Sequence, residues 1–150
     1  MRIVIDTSVL VGSLDARDSQ HARAAALVAA IDAAGVESLL LDCVAVECIG
    51  VLWRRRAERR KAMPLPDFSK CFPPASLSRA YPLLLDSWPA ILGEVSSSDG
   101  RLNAHDALIL MFTRRERVPL IATFDADLGG HGIDVVGDPA ELTARLLALG

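Results

Sequence analysis

Four short apolar runs punctuate the chain: Arg2–Ile5, Ser38–Leu41, Val118–Thr123 and Ile133–Val136. Each is too short for a helix and rich in Val, Ile and Leu, the signature of strands buried on both faces. Longer segments with apolar positions at helical spacing lie between them. Residues 19–34 are Ala-rich and end at Gly35, and a second helix runs from Asp42, as its N-cap, to about Lys61. Residues 76–93 are mostly helical with breaks at Pro82 and Pro89, and Ser96–Gly100 is a loop. Another helix spans Asn103 to about Glu116, and Pro139–Leu149 closes the chain. Strands that alternate with helices imply an α/β protein with a parallel sheet and helices on its faces. Residues 63–75 hold four prolines and read as a loop or moving connector, not as a domain boundary.

A length of 150 residues suits one domain, residues 1–150, with a core of Leu, Val, Ile and Ala because only 5% of residues are aromatic. No apolar run approaches the roughly 18–20 residues that span a bilayer, so no membrane partner is expected. Asp6 interrupts the apolar start before a signal-peptide core can form. Cys43, Cys48 and Cys71 lack zinc-binding spacing and read as reduced thiols, which points to the cytoplasm.

The acidic residues stand in costly places. Asp6 ends the first strand, Glu47 sits within the apolar stretch Val44–Leu52, Asp106 precedes Ala107-Leu108-Ile109, and Asp125 and Asp127 follow the run ending at Phe124. A carboxylate among apolar residues needs a partner that offsets its lost hydration. The two lysines, Lys61 and Lys70, are far from these segments in sequence. Arginine remains open, and a hard divalent cation, Mg2+ or Mn2+, is the more economical partner. In an open parallel sheet the ligand crevice lies beyond the carboxyl ends of the strands, where Asp6 and Asp125 should point. Each acid also has an ordinary reading. Asp6 could cap a helix, Asp106 could be an N3 acid paired with an Asn103 cap, Asp125 and Asp127 could be turn acids, and Glu47 could face solvent.

The net charge of −3 conceals an asymmetry: Arg54-Arg55-Arg56-Ala57-Glu58-Arg59-Arg60-Lys61 alone balances to +5, and Arg114–Arg117 to +2, leaving −10 for the remainder. Basic flanks around an acidic centre suit a polyanion held by Arg54, Arg55, Arg56, Arg59 and Arg60 while a metal acts on one phosphate. The competing reading is a pair of solvated helix ends, where the macrodipole favours cations.

The order of these motifs resembles that of PIN-domain nucleases. Ile3-Val4-Ile5-Asp6-Thr7-Ser8-Val9-Leu10 resembles their first motif, and Glu47 in Val44–Gly50 resembles their helical glutamate. Asn103-Ala104-His105-Asp106-Ala107-Leu108-Ile109 resembles the third motif. Ile121–Leu128 resembles the fourth, with Thr123 and Asp125 in the usual places and Leu128 where a phenylalanine is usual. The resemblance implies a three-layer α/β/α domain with a mostly parallel sheet that binds Mg2+ or Mn2+ and cleaves RNA to 5′-phosphate and 3′-hydroxyl products. It further implies a VapC-like toxin of a toxin–antitoxin pair, homodimeric and silenced by a cognate antitoxin protein. The Pro-rich segment 63–75 is longer than the connection usual in the family.

On this reading Asp6, Glu47, Asp106 and Asp125 are the metal ligands and catalytic acids, with Asp127 as an auxiliary ligand. Thr7 or Ser8, and Thr123, would hydrogen-bond the metal waters or the phosphate. A metal-free ribonuclease would want a histidine pair, whereas His21, His105 and His131 are scattered. A housekeeping RNA-processing nuclease and a non-catalytic RNA- or protein-binding module of the same fold are the alternatives.

Overall fold

The computed structural model describes residues 1–60 and 63–149. Its strands are β1 (Arg2–Ile5), β2 (Glu37–Leu41), β3 (Leu77–Ser78), β4 (Leu120–Ala122) and β5 (Asp134–Val136). They form one sheet in the order β3-β2-β1-β4-β5 with every pairing parallel. Successive side chains of a strand face opposite sides of a sheet, and the core divides accordingly. Val4 and Ile121 face one apolar cluster; Ile3, Ile5, Leu120 and Ala122 face another. The three-layer α/β/α expectation holds.

The helices are α1 (Thr7–Leu14), α2 (His21–Ala33), α3 (Asp42–Glu58), α4 (Phe68–Cys71), α5 (Tyr81–Asp86), α6 (Trp88–Ser97), α7 (Ala104–Arg115) and α8 (Pro139–Leu149). On one side of the sheet α2 and α8 bring Leu27, Ile31 and Leu142 onto the strands. On the other, α3, α5, α6 and α7 contribute Val44, Leu83, Ile91, Leu108 and Phe112. Helix α2 stops where Gly35 takes a left-handed φ of 63°, which lets Val36 N–H reach Ile31 C=O at 3.2 Å and Gly35 N–H reach Asp32 C=O at 3.0 Å. No helix among the described residues is long and apolar enough to cross a membrane.

Several local expectations change. The N-cap of α3 is Leu41, not Asp42. The Asp42 carboxylate instead accepts N–H bonds from Ala80 at 2.9 Å and Tyr81 at 3.1 Å, tying the start of α5 to α3. Helix α3 ends at Glu58, because Arg60 turns left-handed with φ 49°; Lys61 lies outside the described residues. Pro82 and Pro89 open α5 and α6, where a missing N–H costs nothing, and the break between the helices falls at Ser87. Helix α6 also runs to Ser97, so the Ser96–Gly100 loop is shorter than expected. The Pro-rich segment is no loose connector: Met63 and Phe72 are buried against Val11, Ala45, Cys48 and Leu52, and the chain then enters β3 as an edge strand. Leu128 is fully buried in the cluster shared with Val4 and Ile121, so a branched aliphatic fills that place.

Candidate active site

Parallel strands run from β1 outward in both directions, to β2 on one side and to β4 on the other. This reversal opens a crevice beyond the carboxyl ends of β1 and β4. A cleft of about 440 Å³ occupies it, and Asp6, Thr7, Ser8, Glu47, Asp106 and Asp125 all line it. Four segments distant in sequence thus deliver their carboxylates to one place.

Asp6 follows β1 directly and caps α1. Only 5% exposed, its Oδ2 accepts from Ser8 N–H at 3.2 Å, Ser8 Oγ–H at 2.6 Å and Thr123 Oγ–H at 2.8 Å. Thr123 Oγ in turn accepts from Asp125 N–H at 2.9 Å, so one hydroxyl fixes both strand-end acids. Thr7 Oγ–H donates to Glu47 Oε2 at 2.8 Å, joining α1 to α3. Asp106 is the N3 residue of α7 in a capping box: its Oδ2 accepts from Asn103 N–H at 2.8 Å while Asn103 Oδ1 accepts from Asp106 N–H at 3.0 Å. The capping role and the cleft position therefore coexist in this residue.

One regularity unites the four acids. In each, one oxygen accepts protein hydrogen bonds and the other accepts none among the described residues: Asp6 Oδ1, Glu47 Oε1, Asp106 Oδ1 and Asp125 Oδ2. Burial, reinforced by the negative charges of Asp6, Asp125 and Glu47 and opposed by the Asn103 N–H, raises the Asp106 carboxyl to about 6. Four carboxylates lining one cleft, each with an oxygen that accepts no protein hydrogen bond among the described residues, fit Mg2+ or Mn2+ by donor type. Among the described residues no three His, Cys, Asp or Glu groups stand close enough together to share a metal ion, so a cation in this cleft would be held in part through waters, as Mg2+ commonly is.

Two expected participants lie elsewhere. Asp127 is exposed and is not among the residues lining the cleft; what reaches the site is its backbone N–H, which donates to Asp125 Oδ1 at 2.8 Å. The arginine segment also divides. Arg54 and Arg60 are exposed, and Arg56 lies over the Trp53 ring, 5.6 Å from its centroid. Arg55 and Arg59 are instead drawn into an ion network that residue counting missed. Arg55 Nη1 bonds Asp15 at 2.8 Å and also Asp18, and Arg59 Nη1 bonds both oxygens of Asp15 at 2.8 and 2.9 Å. Arg55 still lines the cleft; Arg59 does not. The network ties the chain beyond α1 to the helix that carries Glu47, and so holds Asp6 and Glu47 in register.

Asp15 has a side chain 1% exposed. Burial alone would raise its pKa; the guanidiniums of Arg59 and Arg55 and the Arg17 N–H more than offset this and hold it below the usual carboxylate value. Asp15→Ala should cost about 2–3 kcal/mol, less than a fully buried pair because the two arginines can rehydrate. Urea titration measures this, and a loss below about 0.5 kcal/mol would class the network with ordinary surface pairs.

No curated protein sequence is similar enough to the chain to count as a match. The PIN domain pattern, however, matches residues 3–131, from the first strand through the last of the cleft carboxylates, and the chain belongs to the PIN domain family.

Proposed function

We propose that the chain is a Mg2+- or Mn2+-dependent endoribonuclease that hydrolyses RNA phosphodiester bonds. PIN domains are generally nucleases and typically use divalent metals. The observation that carries the reading is the set of four cleft carboxylates, each with one oxygen free of protein donors.

Asp6, Glu47, Asp106 and Asp125 would hold the cation, directly or through waters, and a bound cation would supply a water of lowered pKa and charge neutralisation at the phosphate. Ser8 and Thr123 keep Asp6 turned toward the cleft through bonds of 2.6 and 2.8 Å, and Thr7 does the same for Glu47 at 2.8 Å. Such supporting bonds fix which oxygen of each carboxylate is presented. Arg54, Arg56 and Arg60 hold flanking phosphates, a role that Arg55 and Arg59 serve less well because Asp15 and Asp18 neutralise them. The biological setting this resemblance supports is the toxin of a type II toxin–antitoxin pair, a homodimer restrained by a cognate antitoxin in the cytoplasm.

The test is direct. Purified protein should cleave single-stranded RNA with Mg2+ or Mn2+, stop in excess chelator, and resume when Mn2+ is restored. Cleavage undiminished by chelator would rule the mechanism out.

A further inference from the structure

The wall of the cleft is not wholly polar: Val11, Val51 and the ring of Phe124 line it beside the acids. Phe124 immediately precedes Asp125, and its N–H donates to Ser8 Oγ at 2.9 Å, the same hydroxyl that donates to Asp6 Oδ2 at 2.6 Å. The hydrogen bonds that orient the acid centre therefore also place this ring. Its position is further fixed by the Arg23 guanidinium, which lies over one face of the ring 4.8 Å from its centroid, so that only the opposite face can serve a ligand, and by Gly12, where an added Cβ would lie 3.6 Å from the ring edge. The outcome is a held, partly exposed aromatic in a cleft otherwise edged by charge.

An aromatic face beside a phosphate-cleaving centre has one natural occupant on a nucleic acid. Every base has a π-face, and stacking on an aromatic side chain tolerates any sequence. The base nearest a phosphate is one ribose away, and Phe124 is one residue from Asp125. A paired base is already stacked within its helix and presents only its edge, so it cannot lie on the ring.

We infer that Phe124 is the stacking platform for the nucleobase flanking the scissile phosphate. This rests on the ribonuclease reading and deepens it by naming a positioning residue.

The experiment compares wild type, Phe124→Ala and Phe124→Tyr in Mn2+. The substrates are a single-stranded RNA, the same RNA made abasic on either side of the cut, and its duplex. Wild type should show KM raised roughly 5- to 150-fold on one of the abasic RNAs. Phe124→Ala should raise KM by a similar factor on intact RNA and by little more on that abasic RNA, because the missing base and missing ring remove one interaction. Phe124→Tyr should stay near wild type, and the duplex should be cut poorly. Equal losses for Phe124→Ala on intact and abasic RNA would make the ring merely structural and overturn the inference. Equal cleavage of duplex and single strand would also overturn it, leaving the ribonuclease reading intact. Absence of cleavage by wild type on every RNA would overturn both. If Phe124→Ala does not fold, Phe124→Leu, which keeps apolar bulk without a π-face, carries the same comparison.

Discussion

Asp6→Asn should remove RNA cleavage, by at least about a hundredfold in kcat/KM, while the protein still folds. Asp6 Oδ2 accepts three hydrogen bonds, from Ser8 N–H, Ser8 Oγ–H and Thr123 Oγ–H. A carboxylate satisfies those donors and still presents Oδ1 to the cleft. A carboxamide cannot do both. If its oxygen stays with the three donors, its NH2 group faces the cation and repels it; if it flips, NH2 meets donors. The first arrangement is cheaper for the fold, since it preserves the network, and it is the one that empties the metal site. Activity should therefore fall far more than stability. If the toxin reading is right, expression of wild type should arrest growth and Asp6→Asn should relieve the arrest at equal soluble protein. Retained cleavage at more than about a tenth of wild type would remove Asp6 from the ligand set.

Where a side chain's role depends on backbone direction, the sequence was legible. A β1 that ends at Asp6 and a β4 that leads to Thr123 and Asp125 must send those groups beyond the strand ends, and in the structure Asp6 and Asp125 line the crevice there, with Thr123 buried behind them. Glu47 and Asp106 were harder, because their position depends on how α3 and α7 pack, yet their apolar neighbours signalled an inward face. The sequence set Asp125 among the four ligands but kept Asp127 as an auxiliary one. A single helical turn of the 3-10 kind, Ala126–Leu128, decides which of the two points inward, and Asp125 Oδ1 begins that turn by capping Asp127 N–H. The arginine segment divides for a different reason. Charge counting treats six cations alike, but Arg55 in the last turn of α3 and Arg59 at its C-cap, spaced i, i+4, both meet Asp15, 40 and 44 residues earlier. Strand β3, two residues long at the sheet edge, carries no periodicity to read.

The acid centre should also make the metal-free protein more stable when one of its charges is removed. The Asp106 carboxyl titrates at about 6 in the fold against an ordinary 3.8, chiefly because it is buried and then because Asp6, Asp125 and Glu47 are near. Between those values the native state keeps a proton that the unfolded chain has released. Stability must then fall as pH rises from about 4 to 6, by up to roughly 3 kcal/mol for a shift of this size, and stay at the lower level above it. Asp15, whose pKa is lowered, has the opposite sign: its contribution is present at neutral pH and disappears only as pH drops below the ordinary carboxylate range. Asp106→Asn mimics the protonated form at every pH, and its carboxamide oxygen can still accept the Asn103 N–H that completes the capping box. At pH 7.5 without metal the variant should melt higher than wild type, by about 1–3 kcal/mol in stability, and the gap should narrow to about half near pH 5 and close only below about pH 4, where Asp106 of the unfolded chain is protonated as well. Mg2+ should then reverse the order, because a cation at a hundred times its Kd adds about 2.7 kcal/mol to the protein that binds it. Thermal melts of both proteins at pH 5 and 7.5, with and without Mg2+, separate these contributions. A metal-free Asp106→Asn that is less stable than wild type at pH 7.5, and equally stabilised by Mg2+, would make Asp106 a capping residue and nothing more.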